Sequence, residues 1–263
     1  MEIVLALLVV IFLVLVVIAV RTWQFSRTAA AASLPFPAQL PDPRLDPMLA
    51  AQHLSTAIQV QTVSHEDAAQ DQPENFAVLH QLFRQEYPLL HQRLQCEELE
   101  GGSLLYTWSG KDPSLEPVLF MAHQDVVPAD EHTLNKWTYP PFSGAIADGF
   151  IWGRGSMDIK CQLIAILDAV ENLLSAGFQP LRTVFLAFSH DEEVLGFGAR
   201  RIVARLQQQN IRLHAVLDEG TYVLEGVLPG FSGRTAPIAV TEKGYLSLKF
   251  SVESTGGHSS TPS

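Results

Sequence analysis

Thr183-Val184-Phe185-Leu186-Ala187-Phe188, followed at once by Ser189-His190-Asp191-Glu192-Glu193, is the stretch on which the fold turns. Near-continuous apolar residues of this length read as a strand buried on both faces, as in the middle of a parallel sheet. Three carboxylates in a row then emerge where the strand ends. They repel one another unless cations lie nearby. A solvated acidic turn is the ordinary explanation of such a run. The depth of the preceding strand argues instead for the edge of a sheet where α/β sites form. Adjacent side chains point in different directions, so one glutamate can bind a metal while its neighbour holds a water.

The same pattern recurs along the chain. Val118-Leu119-Phe120-Met121-Ala122 leads into His123-Gln124-Asp125. Residues two apart in an extended segment face the same way, which makes His123 and Asp125 neighbours. A metal-bound imidazole usually donates its other N–H to a carboxylate, and this spacing supplies one locally. Taken alone, the motif reads as a surface or hydrogen-bonded pair ahead of a metal site. Val216-Leu217 leads into Asp218-Glu219-Gly220, again an apolar strand ending in carboxylates. Gly153-Arg154-Gly155-Ser156-Met157-Asp158 is a glycine turn that delivers Asp158 to the start of a helix. Asp158 there reads equally as an N-cap and as a carboxylate bridging two cations. Neither phosphate-loop glycine pattern is present. Each signal is modest, but carboxylates at successive strand ends are what a two-metal hydrolytic site needs.

Working outward, apolar spacing predicts helices over residues 49–58, 76–90, 158–176 and 199–208, with Gly177 where a C′ glycine belongs. Strands are expected over 104–108, 118–122, 183–188 and 213–217, with 151–152 a short strand or turn edge. Strands alternating with helices imply an α/β fold with a mainly parallel sheet and helices on both faces. Leu246, Leu248, Phe250 and Val252 then alternate with polar residues as a half-buried strand, before Gly256-Gly257-His258-Ser259-Ser260. A lone strand cannot bury its apolar face, so the chain reads as ending inside a smaller α+β domain. The expected organisation is residues 1–21 as an anchor or signal segment, 22–48 as an Ala/Pro-rich linker, 49–237 as an incomplete catalytic domain and 238–263 as the start of a lid or dimerisation domain.

Residues 3–20 form an apolar run without charge, glycine or proline. Roughly 18–20 such residues cross a hydrocarbon core of about 30 Å. Glu2 in place of a basic n-region, and the length of the run, favour an uncleaved single-span membrane anchor over a signal peptide, which would make the protein secreted. Arg21 and Arg27 are too few to fix the side of the membrane. Of the 263 residues 47% are apolar, enough for one sizeable domain or one and part of another. The net charge of −11 disfavours nucleic acid as a partner. Cys96 and Cys161 have no metal-finger or redox spacing.

The ordered set Met121-Ala122-His123-Gln124-Asp125, Gly153 to Lys160, His190-Asp191-Glu192-Glu193, Asp218-Glu219-Gly220 and Gly256 to Ser260 resembles the M20 family of metallopeptidases, nearest its carboxypeptidase S branch. The resemblance implies a dizinc exopeptidase-like domain with two Zn²⁺ ions per full-length subunit. His123 and Asp218 would bind one zinc, Glu193 the other, and Asp158 would bridge them. Asp125 would orient His123. Glu192 would be the general base acting on metal-bound water, and His258 of the lid would hold the substrate carbonyl, often across a homodimer. The implied function is hydrolysis of amide bonds in small peptides or N-acyl amino acids. The alternatives are the reverse reaction, N-acyl amino acid synthesis, and a membrane-anchored binding protein with a degenerate fold. The family also supplies a final zinc-binding histidine from a later region. His53, His65, His80, His91 and His132 are not credible substitutes, so the chain as it stands is expected to be inactive.

Overall fold

The computed structural model describes residues 2–31 and 46–220, and from 223 to 251 all but 228, 229, 231, 242, 243, 245 and 247. The chain divides into two units, Met1–Arg44 and Leu45–Ser263. Within the first, helix α1 (Glu2–Ala31) runs ten residues into the expected linker. Its segment Leu7–Gln24 is long and apolar enough to cross a membrane, and none of it is buried.

The second unit is built on a five-stranded sheet in the order β1-β2-β6-β3-β7. The strands are β1 (Gln95–Leu99), β2 (Ser103–Trp108), β3 (Val118–His123), β6 (Val184–Ser189) and β7 (Ala215–Leu217). β6 pairs parallel with β3, which pairs parallel with β7, while β2 is antiparallel to both β1 and β6. Four of the five strands therefore run one way, as a mainly parallel sheet requires. A separate hairpin, β4 (Ala145–Ala147) with β5 (Phe150–Trp152), lies between β3 and the next helix.

Both faces of the sheet are covered. Leu104, Tyr106, Leu186 and Phe188 point to one face, into the larger core. That core is closed by α2 (Pro47–Gln59), α3 (Pro73–Glu86), α4 (Pro88–Arg93) and α5 (Lys160–Ser175). Leu105, Phe185 and Ala187 point the other way, against Ile202 and Leu206 of α6 (Gly198–Gln208). The alternation is the period of two expected of strands, and burial on both sides is why residues 184–188 are all apolar. α5 ends as its sequence predicts. Gly177 has φ +72°, its N–H reaches Leu174 O at 3.0 Å, and the Phe178 N–H reaches Leu173 O at 2.9 Å. This is the paired bonding of a Schellman cap.

Four expectations need correction. The helix over 76–90 is two helices, because Pro88 drives Tyr87 out of the helical region, to φ −122° and ψ 62°. The helix over 158–176 begins at Lys160, after the Asp158 turn. β7 is an exposed edge rather than a buried strand: Val216 and Leu217 are 51% and 59% accessible, with β3 as their one partner among the described residues. The strand expected over 246–252 does not form at the described positions, where Leu246, Leu248 and Phe250 stay largely exposed, with no strand partner among the described residues.

Candidate metal centre

The parallel half of the sheet places the site. In the β3–β6 register His123 lies beside Ser189, and in the β3–β7 register Phe120 lies beside Leu217. The residues that follow all three strands therefore emerge at one edge. Gly153 and Gly155, both at positive φ, turn the chain back to that edge and bring Asp158 to it. A side chain at Gly153 would collide with Ile58, and one at Gly155 with Val126.

His123 is almost fully buried, and its two ring nitrogens have different surroundings. Nδ1 is held by the backbone carbonyl of Asp125 at 2.9 Å, with the Asp125 carboxylate at 3.4 Å. Nε2 faces the opening, 3.3 Å from Asp158 Oδ1, 3.8 Å from Glu219 Oε2 and 3.9 Å from Glu192 Oε2. His123, Asp158 and Glu219 each offer a ligand atom, all within 4.8 Å of one another. The Asp158–Glu219 wall continues into an open cleft of about 650 Å³ that Met157, Cys161 and Gln162 complete. A nitrogen donor with its far side tied to a carbonyl, facing several carboxylates, is a donor set that fits a divalent cation such as zinc.

The carboxylates bear the mark of crowding. Burial raises the Glu192 pKa, reinforced by the charges of Asp125, Asp158 and Asp218 and opposed by His123. Burial also raises Glu193 and Glu219, with Asp158 adding to each. Burial alone would lower the His123 pKa, but the hydrogen bond and charge of Asp125 outweigh it and push the imidazole up to about 9. Without a cation, His123 therefore carries a proton at neutral pH and serves as the counter-ion of the cluster.

Asp125 is completely buried and does more than orient an imidazole. Its carboxylate accepts the Ser64 hydroxyl at 2.6 Å and the backbone N–H groups of Glu192 and Glu193, each at 3.1 Å. It thereby pins the turn carrying both glutamates to the strand end carrying His123. Behind it lies Lys160, 1% exposed, whose ammonium donates to the carbonyls of Ala57 at 2.9 Å and Val60 at 2.7 Å. Burial lowers the Lys160 pKa to about 7, against the pull of the Asp125 charge.

The expected residues are thus largely brought together. Asp158 does not cap α5; the residue before that helix is Ile159, without a side-chain cap. Glu193 shares the turn with Glu192 and feels the charges of Asp158 and His123. Asp218 accepts the Glu219 N–H at 2.8 Å and contributes its charge to the site, while Glu219 is the residue that joins His123 and Asp158. Glu219 was visible in the sequence as the second carboxylate after β7, but the resemblance drew attention to Asp218. His258 lies outside the described residues. His53 and His80 belong to other buried networks, with Asp168 and with Gln124.

Residues 119–259 match the sequence pattern of Peptidase family M20/M25/M40. The chain belongs to this family. The M20 assignment brings metal dependence with it, in keeping with the His123–Asp158–Glu219 cluster. The chain is 43% identical over 218 residues to a probable carboxypeptidase S-like 2 of Dictyostelium discoideum, covering 81% of this chain and 41% of the relative. It is 44% identical over 214 residues to the N-fatty-acyl-amino acid synthase/hydrolase PM20D1 of Mus musculus, covering 80% and 41%. It thus spans about two fifths of the length of these relatives. An M20 family metallo-carboxypeptidase from Sulfolobus solfataricus has the same fold over 68% of this chain and 38% of its own, with a TM-score of 0.54 at 21% identity.

Proposed function

We propose that this M20 chain carries the core of a zinc-dependent hydrolase of amide bonds in small peptides or N-acyl amino acids. One observation carries the reading: His123 Nε2 converges with Asp158, Glu219 and Glu192 while its Nδ1 is fixed from behind. The names of the relatives, a carboxypeptidase S-like protein and an N-fatty-acyl-amino acid synthase/hydrolase, indicate the substrate class.

His123, Asp158, Glu193 and a carboxylate from the Asp218-Glu219 pair would hold the two ions. The ions, when bound, supply an acidified water and polarise the scissile carbonyl. Glu192 takes the proton from the attacking water and hands it to the leaving amine. Its raised pKa suits a base that must also return a proton. Asp125 keeps the Glu192 backbone in place and the His123 ring in the tautomer that presents Nε2. By the family resemblance, His258 would hold the substrate carbonyl, with the protein acting as a homodimer. α1 serves as the membrane anchor.

Hydrolysis of an N-acyl amino acid and of an N-blocked dipeptide, by protein carrying this sequence at its full natural length, tests the proposal. The expected outcome is turnover that a chelator abolishes and Zn²⁺ restores. Turnover indifferent to the chelator would remove the cations from the reaction. Product formed from free acid and amino acid would assign the synthetic direction to the same site.

A further inference from the structure

We propose that Gln124 and His80 form a positioning strut that sets the distance between the cation ligand His123 and the turn bearing Glu192 and Glu193. Gln124 stands between His123 and Asp125, yet it points away from the cation cluster into the protein. It is completely buried, and His80 is 1% exposed. The Gln124 amide nitrogen donates to Gly102 O and Phe188 O, each at 2.9 Å, with Ser189 O at 3.4 Å. Carbonyls alone surround that end, which fixes the orientation of the amide. Its oxygen accepts from His80 Nε2 at 2.7 Å. The Gln124 backbone N–H also reaches Ser189 O at 2.8 Å.

The connections have a common geometric result. Phe188 and Ser189 end β6, four and three residues before Glu192. Gly102 ends the β1–β2 turn, and His80 comes from α3. One side chain therefore ties the end of β3 to the end of β6, the start of β2 and the helix behind them. Strand pairing fixes His123 against Ser189, but it ends there. Past that point the Gln124 backbone N–H and the side chains of Gln124 and Asp125 hold the two segments together. Asp125 grips the glutamate turn directly, and Gln124 fixes the root from which that turn grows. No hydrophobic residue of the same size can satisfy two carbonyls and an imidazole N–H at once.

The inference rests on the metal-site reading above, and its test separates the two. Zn²⁺ affinity is measured by chelator competition on the full chain for wild type, Gln124→Met, His80→Phe and His80→Gln, with thermal melts to establish folding. Gln124→Met should bind Zn²⁺ roughly 10–100-fold more weakly, the range for residues that orient metal ligands. His80→Phe should weaken binding as well, and His80→Gln, which keeps an N–H donor, should recover most of it. In active protein the loss should fall on kcat with KM little changed. Wild-type affinity in both folded Gln124→Met and His80→Phe overturns the strut and leaves the metal site standing. No Zn²⁺ binding by wild type overturns both. If Gln124→Met does not fold, the His80 pair decides: equal affinity in the Phe and Gln variants overturns the proposal.

Discussion

Glu192→Gln is expected to keep cation binding and to lose turnover by about 10²–10⁴-fold, the range that general acid–base groups supply. The substitution preserves shape and the backbone N–H that Asp125 accepts. It removes the one property the reaction needs, a carboxylate whose affinity for a proton is raised by burial and by the charges of Asp125, Asp158 and Asp218. The glutamine should also relieve some of the repulsion around Asp158 and Glu219, so cation affinity changes little beside turnover. Metal content and kcat measured on the same preparation check this. Near-normal kcat would take the role of base from Glu192, and a metal-free variant would make Glu192 a ligand instead.

Asp125→Ala should cost the metal-free protein about 3–5 kcal/mol of unfolding free energy, as when one partner of a buried ionic pair is removed. Asp125 has no solvent contact, so no water replaces what it accepts. The Ser64 hydroxyl and the N–H groups of Glu192 and Glu193 lose their acceptor, and Lys160 loses the nearby charge that opposes its desolvation. The folded-state pKa of His123 is raised in the wild type, so its stabilising contribution is complete below the ordinary histidine value of 6.5. It is lost as pH rises through about 9. Denaturant unfolding in neutral and alkaline buffer should therefore show the Ala variant further from wild type at neutral pH than above 9. An unchanged unfolding midpoint at neutral pH would contradict this account of Asp125.

The site's scaffold was legible because hydrophobicity and carboxylates are both local signals. An apolar run that ends in Asp or Glu announces a strand end, and residues 183–193 did so most strongly. The C-terminus of α5 was legible for a similar reason, since Gly177 makes the positive φ that the cap needs inexpensive. β1 was not, because Gln95-Cys96-Glu97-Glu98-Leu99 is a polar edge strand that, among the described residues, pairs with β2 alone. The break at Tyr87 was carried by Pro88, outvoted by helical spacing on either side. Buried polar residues were the least legible. Gln124, His80 and Lys160 carry surface-type side chains, and their burial depends on carbonyls contributed by distant elements. The choice between Asp218 and Glu219 hinges on how the chain turns after β7, which composition does not encode.

The central claim is that His123 Nε2 heads a cation site and exchanges a proton for a metal ion. Calorimetric titration of Zn²⁺ into the metal-free chain, in buffers of different ionisation heat, tests it directly. Imidazole must be neutral to bind a metal, and His123 holds its proton up to about 9. Near neutral pH the account predicts release of about one proton from His123 with the first ion, vanishing above that pKa and absent in His123→Ala. Zn²⁺ binding that releases no proton near neutral pH, or that His123→Ala leaves unchanged, would contradict it.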